Sequence, residues 1–212
     1  EIVAGSLDHN DWIVGYELSD KPFSYYHYDR EAGEAKYLFS NRSALEAARL
    51  APMYPVVIPS RDGLELVSYL TLPTESDPDA DGRPAEAMPL VLFVHGGPWA
   101  RDNWGYSAYH QWLANRGYAV LAVNFRGSTG LGKDFTNAAN LQWATTMHDD
   151  LIDAVQWSID EGIADPAKVA IMGGSYGGYA TLVGLTFTPD TFACGVDIVG
   201  PSNLITLLES IP

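Results

Sequence analysis

Gly173-Gly174-Ser175-Tyr176-Gly177-Gly178 is the stretch of sequence that decides the fold. It lies between an apolar run at residues 169–172 and a helix-compatible segment at residues 179–187. Glycines two residues to either side of a serine are typical of a strand-to-helix turn so tight that larger side chains would clash. Such a turn lifts the serine oxygen clear of the sheet, beside helix N–H groups that favour negative charge. Ser175 is therefore a candidate nucleophile; the alternative is a glycine-rich turn that holds an incidental serine.

Apolar runs and helix-compatible segments alternate through the second half of the chain. Three further runs, at residues 89–94, 119–123 and 192–198, have the composition of strands. The run at 89–94 is apolar throughout, as expected of a strand that is buried on both faces. Helix-compatible segments at residues 108–115 and 147–161 separate the runs. Strands that alternate with helices predict a doubly wound, mostly parallel α/β sheet.

The first 50 residues have a different texture. Residues 11–17, 23–28 and 35–39 indicate three short strands, the last two joined by a turn and rich in aromatic side chains. Three strands are too few to bury their own faces, so we expect them to pack on another part of the protein. We place a domain boundary near residue 50, which gives two units, 1–50 and 51–212.

Charge and cysteine content exclude several classes of protein. The 212 residues include 27 Asp and Glu against 12 Lys and Arg, a formal charge of −15. That charge repels phosphate backbones and anionic lipid surfaces, so we expect neither nucleic acid nor a membrane as a partner. The single cysteine, Cys194, excludes an internal disulfide and a multi-cysteine metal site, and its apolar run predicts a buried, unreactive thiol. The sequence implies no metal and no cofactor.

A second motif, His95-Gly96-Gly97-Pro98, directly follows the run at residues 89–94. A glycine in this loop lets a backbone N–H approach a substrate carbonyl, as in the oxyanion holes of α/β hydrolases. We expect the N–H groups of Gly97 and Tyr176 to form that pair. His95 stands at the wrong end of the chain order for the base, so we expect it to hold the loop by hydrogen bonds.

Three motifs in this order resemble the prolyl oligopeptidase family of serine peptidases, above all its acylaminoacyl-peptidase and dipeptidyl-peptidase-like members. They are His95-Gly96-Gly97-Pro98-Trp99, Asn124-Phe125-Arg126-Gly127-Ser128-Thr129-Gly130 and Gly173-Gly174-Ser175-Tyr176-Gly177-Gly178-Tyr179. The resemblance implies an α/β-hydrolase fold for residues 51–212, with Ser175 as the nucleophile and Gly97 and Tyr176 as oxyanion donors. It also implies that residues 1–50 are the last blade of a β-propeller and its linker.

The base is missing from the expected place. Every histidine precedes Ser175, and the family pattern puts both acid and base after it. The histidines are His9, His27, His95, His110 and His148. A serine hydroxyl without a base is a poor nucleophile, so we expect these residues to be the N-terminal part of a catalytic domain, inactive alone.

The sequence as a whole predicts a serine peptidase that hydrolyses short peptides through an acyl-enzyme. Two alternatives stay open: a carboxylesterase with the same apparatus, and a non-catalytic protein that uses the hydrolase fold for binding. The expected partners are short peptides, together with the remainder of its own chain or a second copy. The family and the single cysteine favour a cytoplasmic location.

Other polar and aromatic residues near the motifs favour structural roles. We expect Arg126 to donate to nearby carbonyl groups rather than to clamp substrate. Trp99, Arg101, Asp102 and Trp104 follow the second motif and are candidates to line a pocket, with packing as the alternative.

Three acidic residues have weaker claims on function. Asp149 and Asp150 lie in the first turn of a predicted helix, where carboxylates suit the helix dipole, and a metal site with His148 would need further ligands. Asp197 ends a predicted strand near the expected site, but we do not assign it as the triad acid.

Overall fold

The structure, a computed structural model, describes residues 1–210 and places its strands in two sheets. The first is a four-stranded antiparallel sheet whose strands lie in chain order. Its strands are β1 (Ile2–Gly5), β2 (Asp11–Tyr16), β3 (Ser24–Asp29) and β4 (Glu34–Ser40). The three predicted strands are present, and β1 is an addition that pairs with β2.

The second sheet has six strands in the order β10-β9-β7-β8-β6-β5. They are β5 (Met53–Pro59), β6 (Glu65–Thr71), β7 (Met88–Val94), β8 (Ala119–Val123), β9 (Ala164–Gly174) and β10 (Cys194–Ile198). The four strands from β7 to β10 are parallel, whereas β5 and β6 are antiparallel. The predicted mostly parallel α/β sheet is confirmed.

Helices cover both faces of this sheet. They are α1 (Ala108–Ala114), α2 (Lys133–Asn137), α3 (Thr146–Asp160), α4 (Tyr176–Phe187) and α5 (Leu204–Ser210). Successive side chains of a strand point to opposite faces, and β7 shows the result. Leu90 and Leu92 join the main core with α3 and α4, whereas Val91 packs on the other face with Leu113 of α1. Burial on both faces is why this strand is apolar along its length.

The strand order places a crevice suited to a binding site at the carboxyl ends of the parallel strands. The chain passes from β7 to β8 on one side and then returns to β9 on the other side of β7. Such a reversal of strand order opens a crevice at the carboxyl ends of the strands. The loops at residues 95–107 and 124–132 and the turn at Ser175 all begin at that edge.

The first sheet and the linker are tied to α1 by one buried amide. The side chain of Gln111 accepts a hydrogen bond from the N–H of Ala51 (2.9 Å) and donates to the carbonyl oxygens of Ala51 (2.7 Å) and Ser19 (3.2 Å). A buried amide with its donors and acceptor paired fixes the path of the chain between the two sheets.

The prediction for Cys194 is wrong. Its thiol is exposed, because β10 is the edge strand of the described sheet and the apolar character of residues 192–198 does not reflect burial at every position. Within residues 1–210, no helix is both long and apolar enough to cross a bilayer.

Candidate active site

The turn that carries Ser175 has the strained geometry that the glycine pattern predicts. Ser175 has φ 56° and ψ −118°, a region that a non-glycine residue occupies at a cost of about 1–3 kcal/mol. Hydrogen bonds hold the turn on both sides: Ser175 N–H donates to the Ile198 carbonyl (2.9 Å), and Tyr179 N–H donates to the Ser175 carbonyl (3.0 Å). The serine thus stands between the end of β9 and the first residue of α4.

Two of the flanking glycines are required by space. A Cβ atom on Gly177 would lie 2.0 Å from the Val94 carbonyl oxygen, and one on Gly173 would lie 2.5 Å from the same atom. Both approaches are to backbone, which cannot rotate away. The close approach of β7, β9 and α4 at this point therefore explains the glycine spacing around Ser175.

The second motif lies directly against this turn. A Cβ atom on Gly96 would be 3.4 Å from the Cβ atom of Ser175, and Gly97 has φ +120°, which favours glycine. Tyr176 is the first residue of α4, so its N–H precedes the first intrahelical hydrogen bond. Gly97, Ser175 and Tyr176 line one cavity of about 390 Å³. The structure therefore brings the three predicted site residues together.

His95 is engaged by its own loop and by the neighbouring one. Its Nδ1 lies 2.7 Å from the Gly96 carbonyl oxygen, and its Nε2 lies 2.9 Å from the hydroxyl of Ser128. Burial lowers the pKa of His95, which favours the neutral ring. The Gly96 carbonyl oxygen can only accept, so the neutral ring donates to it from Nδ1. These contacts fasten the loop, in keeping with the role expected for His95.

The predicted partners of Arg126 were wrong, because the side chain donates to carboxylates and not to carbonyl groups. Its Nε and Nη2 donate to the carboxylate of Asp150 at 2.9 and 2.7 Å, and its backbone N–H donates to the same carboxylate at 2.8 Å. Its Nη1 and Nη2 donate to the carboxylate of Asp62, both at 2.9 Å. Burial raises the pKa of Asp150 and the bonds from Arg126 oppose that rise, while Arg126 holds the pKa of Asp62 well below its usual range. The loop after β8 is thereby fixed to α3.

Asp102 carries a buried carboxyl oxygen. Its backbone N–H and carbonyl pair with the side-chain amide of Asn124 at 2.8 and 3.2 Å. The Oδ2 atom of Asp102 is buried and has no hydrogen-bond partner within residues 1–210. Burial without a compensating donor raises the pKa of Asp102 to about 7.

Replacement of this carboxyl by an amide, Asp102→Asn, should make stability less sensitive to pH. An aspartate in the unfolded chain ionises near pH ~3.9, so between about pH 4 and 7 the unfolded state loses a proton that the folded state keeps. The wild-type protein therefore loses stability as the pH rises through that window, whereas the amide cannot ionise. We expect D102N to be more stable than wild type at pH 8 by on the order of a few kcal/mol, and by much less at pH 5.

The pH dependence is read from urea denaturation of both proteins at pH 5 and pH 8. An equal difference in unfolding free energy at the two pH values would mean that Asp102 is ionised in the folded protein.

The cavity beside Ser175 has an apolar wall. Besides the three site residues, its lining consists of Trp99, Trp143, Val199, Pro201, Leu207 and Leu208. A neighbouring cavity of about 400 Å³ shares four of these side chains and adds two leucines, Leu141 and Leu204. Within the described chain, none of these lining side chains carries a charge at neutral pH. The arrangement suits an uncharged, apolar group beside Ser175.

Sequence reasoning identified only part of this wall. Trp99 is 60% exposed and lines both cavities, as one of the two alternatives held. Trp104 instead donates its indole N–H to the Met53 carbonyl (2.9 Å), and Arg101 Nε lies 3.4 Å from the Asp102 carbonyl oxygen, so both pack on the fold. Trp143 was missed because it lies in an irregular loop before α3, where no spacing marks it.

The acidic residues that the sequence singled out have structural partners. Asp197 accepts a hydrogen bond from the Gly200 N–H (2.7 Å) and so closes the turn after β10. Asp149 pairs with Arg61 at 2.9 Å. Residues 1–210 contain no group of three or more His, Cys, Asp or Glu side chains arranged to hold a metal ion.

Comparison with known proteins identifies relatives of this arrangement. The chain is 65% identical over 207 residues to dipeptidyl aminopeptidase BIII of Pseudoxanthomonas mexicana and 48% identical over 225 residues to dipeptidyl peptidase family member 6 of Caenorhabditis elegans. The matches cover 98% and 100% of this chain, but only 30% of each relative. The chain thus spans about a third of the length of these relatives.

Solved structures agree with the sequence relatives. A Mycobacterium tuberculosis puromycin-hydrolyzing peptidase superimposes with a TM-score of 0.78 at 30% identity, over 96% of this chain and 31% of its own. The acylaminoacyl peptidase of Pyrococcus horikoshii gives 0.76 at 26% identity, over 97% and 32%.

A family model covers the part of the chain that holds the Ser175 turn. The model of the prolyl oligopeptidase family matches residues 104–210, about half of the chain. With the paired loops and the strained serine turn in place, the match leads to one conclusion: the chain belongs to the prolyl oligopeptidase family.

Proposed function

We propose that the chain carries the nucleophile and oxyanion hole of a serine peptidase that hydrolyses short peptides. The observation that carries this proposal is the meeting of Ser175, Gly97 and Tyr176 at one cavity, with Ser175 in a strained turn. The strain supports a functional role, because residues held in sparsely populated backbone regions cluster at active sites. The peptidase relatives support the choice of substrate class.

The proposed reaction proceeds through an acyl-enzyme. Ser175 Oγ attacks the carbonyl carbon of the scissile bond while its proton passes to a histidine base, and the carbonyl oxygen becomes an oxyanion. The N–H groups of Gly97 and Tyr176 donate to that oxyanion. Collapse expels the amine, which takes the proton from the histidine, and leaves an ester on Ser175. Water, deprotonated by the same base, then hydrolyses the ester.

We place the base and its orienting aspartate outside residues 1–212. His95 has both ring nitrogens engaged in the loops around it, and the remaining four histidines also precede Ser175. The chain covers only 30% of its peptidase relatives, which leaves room for both residues elsewhere. A protein limited to these residues should accordingly lack peptidase activity.

Residues 1–50 are proposed as the last blade of a β-propeller and its linker. A propeller blade is a four-stranded antiparallel sheet with its strands in chain order, and β1 to β4 have that arrangement. Large apolar side chains on this sheet are exposed, among them Tyr37, Leu38 and Phe39 of β4. Neighbouring blades would cover them.

A pair of chromogenic substrates with the same acyl group tests the activity. The full-length protein receives a short peptide p-nitroanilide with an apolar residue before the cleaved bond, and the matched p-nitrophenyl ester. We expect hydrolysis of both, since an acyl-enzyme mechanism that cleaves the harder amide also cleaves the ester. Cleavage of the ester alone would favour the carboxylesterase, and cleavage of neither would favour a binding protein.

A further inference from the structure

The side chain of Phe125 is fully buried and is stacked with two other rings. Its centroid lies 4.5 Å from that of His95, with 16° between the ring planes. The centroid of Tyr176 is 5.4 Å from that of Phe125, with 27° between the planes. The two stacked pairs share Phe125, and the three rings His95, Phe125 and Tyr176 are called the stack below.

The two partners of Phe125 in this stack belong to the two segments that present the oxyanion donors. His95 lies two residues before Gly97 and is bonded to the Gly96 carbonyl, while Tyr176 supplies the other N–H itself. The Tyr176 ring also makes an edge-to-face contact with Trp143 at 4.7 Å between centroids. A single buried ring, that of Phe125, therefore contacts side chains from both donor segments.

The backbone around Phe125 leaves that ring little freedom to shift. Its carbonyl oxygen accepts from the hydroxyl (2.7 Å) and the N–H (3.0 Å) of Ser128. The residues on either side are tied down as well, Asn124 to the backbone of Asp102 and Arg126 to the carboxylate of Asp150. Phe125 is thus fixed through its backbone, and its ring is stacked on one side chain from each donor segment.

We propose that Phe125 is a positioning residue that sets the separation of the Gly97 and Tyr176 N–H groups. The inference rests on the proposed function. Oxyanion donors act only within about 2.7–3.1 Å of the position that the developing charge will occupy. A displacement of about 1 Å can lower the rate by about a hundredfold. The phenyl ring touches no substrate, so its effect passes through the two donors.

The test replaces the ring in the full-length protein and separates rate from stability. Phe125→Leu removes the ring and leaves an apolar side chain, and Phe125→Met supplies a longer, more flexible side chain of similar volume should the leucine variant fold poorly. The matched control is Phe192→Leu, a buried phenylalanine that packs against Gly184 in the later part of α4. Readouts are kcat and KM for the peptide p-nitroanilide, the melting temperature, and the affinity for a peptide boronic acid.

The boronic acid forms a tetrahedral adduct with a serine nucleophile and so reports on the oxyanion hole. We expect F125L or F125M to lower kcat and boronic acid affinity by about 10- to 100-fold, with KM within about threefold of wild type. F192L should lower the melting temperature to a similar extent and leave kcat within about twofold.

The results separate failure of the role of Phe125 from failure of the proposed function. A kcat within about twofold of wild type in folded F125L or F125M, or an equal loss in F192L, overturns the role of Phe125. A Ser175→Ala reference that keeps wild-type activity overturns the proposed function, and the inference with it.

Discussion

Replacement of Ser175 by alanine is expected to lower kcat for peptide hydrolysis by the full-length protein by about ten-thousand- to million-fold. Loss of the nucleophile from a serine peptidase has an effect of that size, because it removes the covalent route and leaves only binding and the oxyanion hole. Alanine fits the space of serine, and the turn is held by backbone bonds to Ile198 and Tyr179 that the substitution retains. The folded structure should therefore persist.

A serine on the same side of the molecule provides the control. Ser202 is exposed, follows the lining residue Pro201 and makes no side-chain hydrogen bond within residues 1–210, so S202A should keep kcat within about twofold. The melting temperatures of both variants check that folding is intact. If S175A kept more than a tenth of the wild-type kcat, Ser175 would not be the nucleophile.

Removal of one charge from the buried ion network should cause the largest loss of stability. In Asp150→Asn, the guanidinium of Arg126 loses its buried carboxylate. The backbone N–H, Nε and Nη2 of Arg126 then face a neutral amide, whose oxygen is a weaker acceptor and whose NH2 group cannot accept. Loss of one partner from a buried ion pair typically costs about 3–5 kcal/mol, and because Arg126 keeps its bonds to Asp62 the cost here should lie at the lower end of that range. We expect D150N to lower the free energy of unfolding by that amount, measured by urea denaturation with tryptophan fluorescence.

The neighbouring residue of the same helix is a matched control. Asp149 pairs with Arg61, and both side chains are partly exposed, at 36% and 52%. Exposed pairs contribute at most about 1 kcal/mol, so D149N should change stability little. Equal losses in D149N and D150N would show that burial of the Arg126 network adds nothing to the stability of the fold.

Local sequence patterns predicted the part of the site that depends on local backbone. The glycines around Ser175 are dictated by contacts at a single crossing of β7, β9 and α4, so their spacing was sufficient to predict the turn. Gly97 was predicted for the same reason, since its loop begins where an apolar strand ends. The alternation of strands and helices was equally informative, because a parallel sheet requires a crossover between its strands.

Residues whose role depends on distant partners were not predicted. Asp62 lies 64 residues before Arg126 in the chain, and nothing in the local sequence indicates that the two form an ion pair. The expected position of Asp150 in the first turn of a helix suggested only the helix dipole, whereas in the structure that turn holds Asp149 and the carboxylate of Asp150 is held by Arg126. The apolar run that contains Cys194 suggested burial, but the exposure of a strand depends on its position in the sheet order.

Covalent labelling tests the central claim most directly. The full-length protein is treated with a fluorophosphonate, digested, and analysed by mass spectrometry to locate the adduct, with S175A as the reference. An activated serine attacks the phosphorus and displaces fluoride, so we predict an adduct on Ser175 in the wild-type protein and none in S175A. An adduct on a different serine of the active protein, or none at all, would contradict the assignment of Ser175 as the nucleophile.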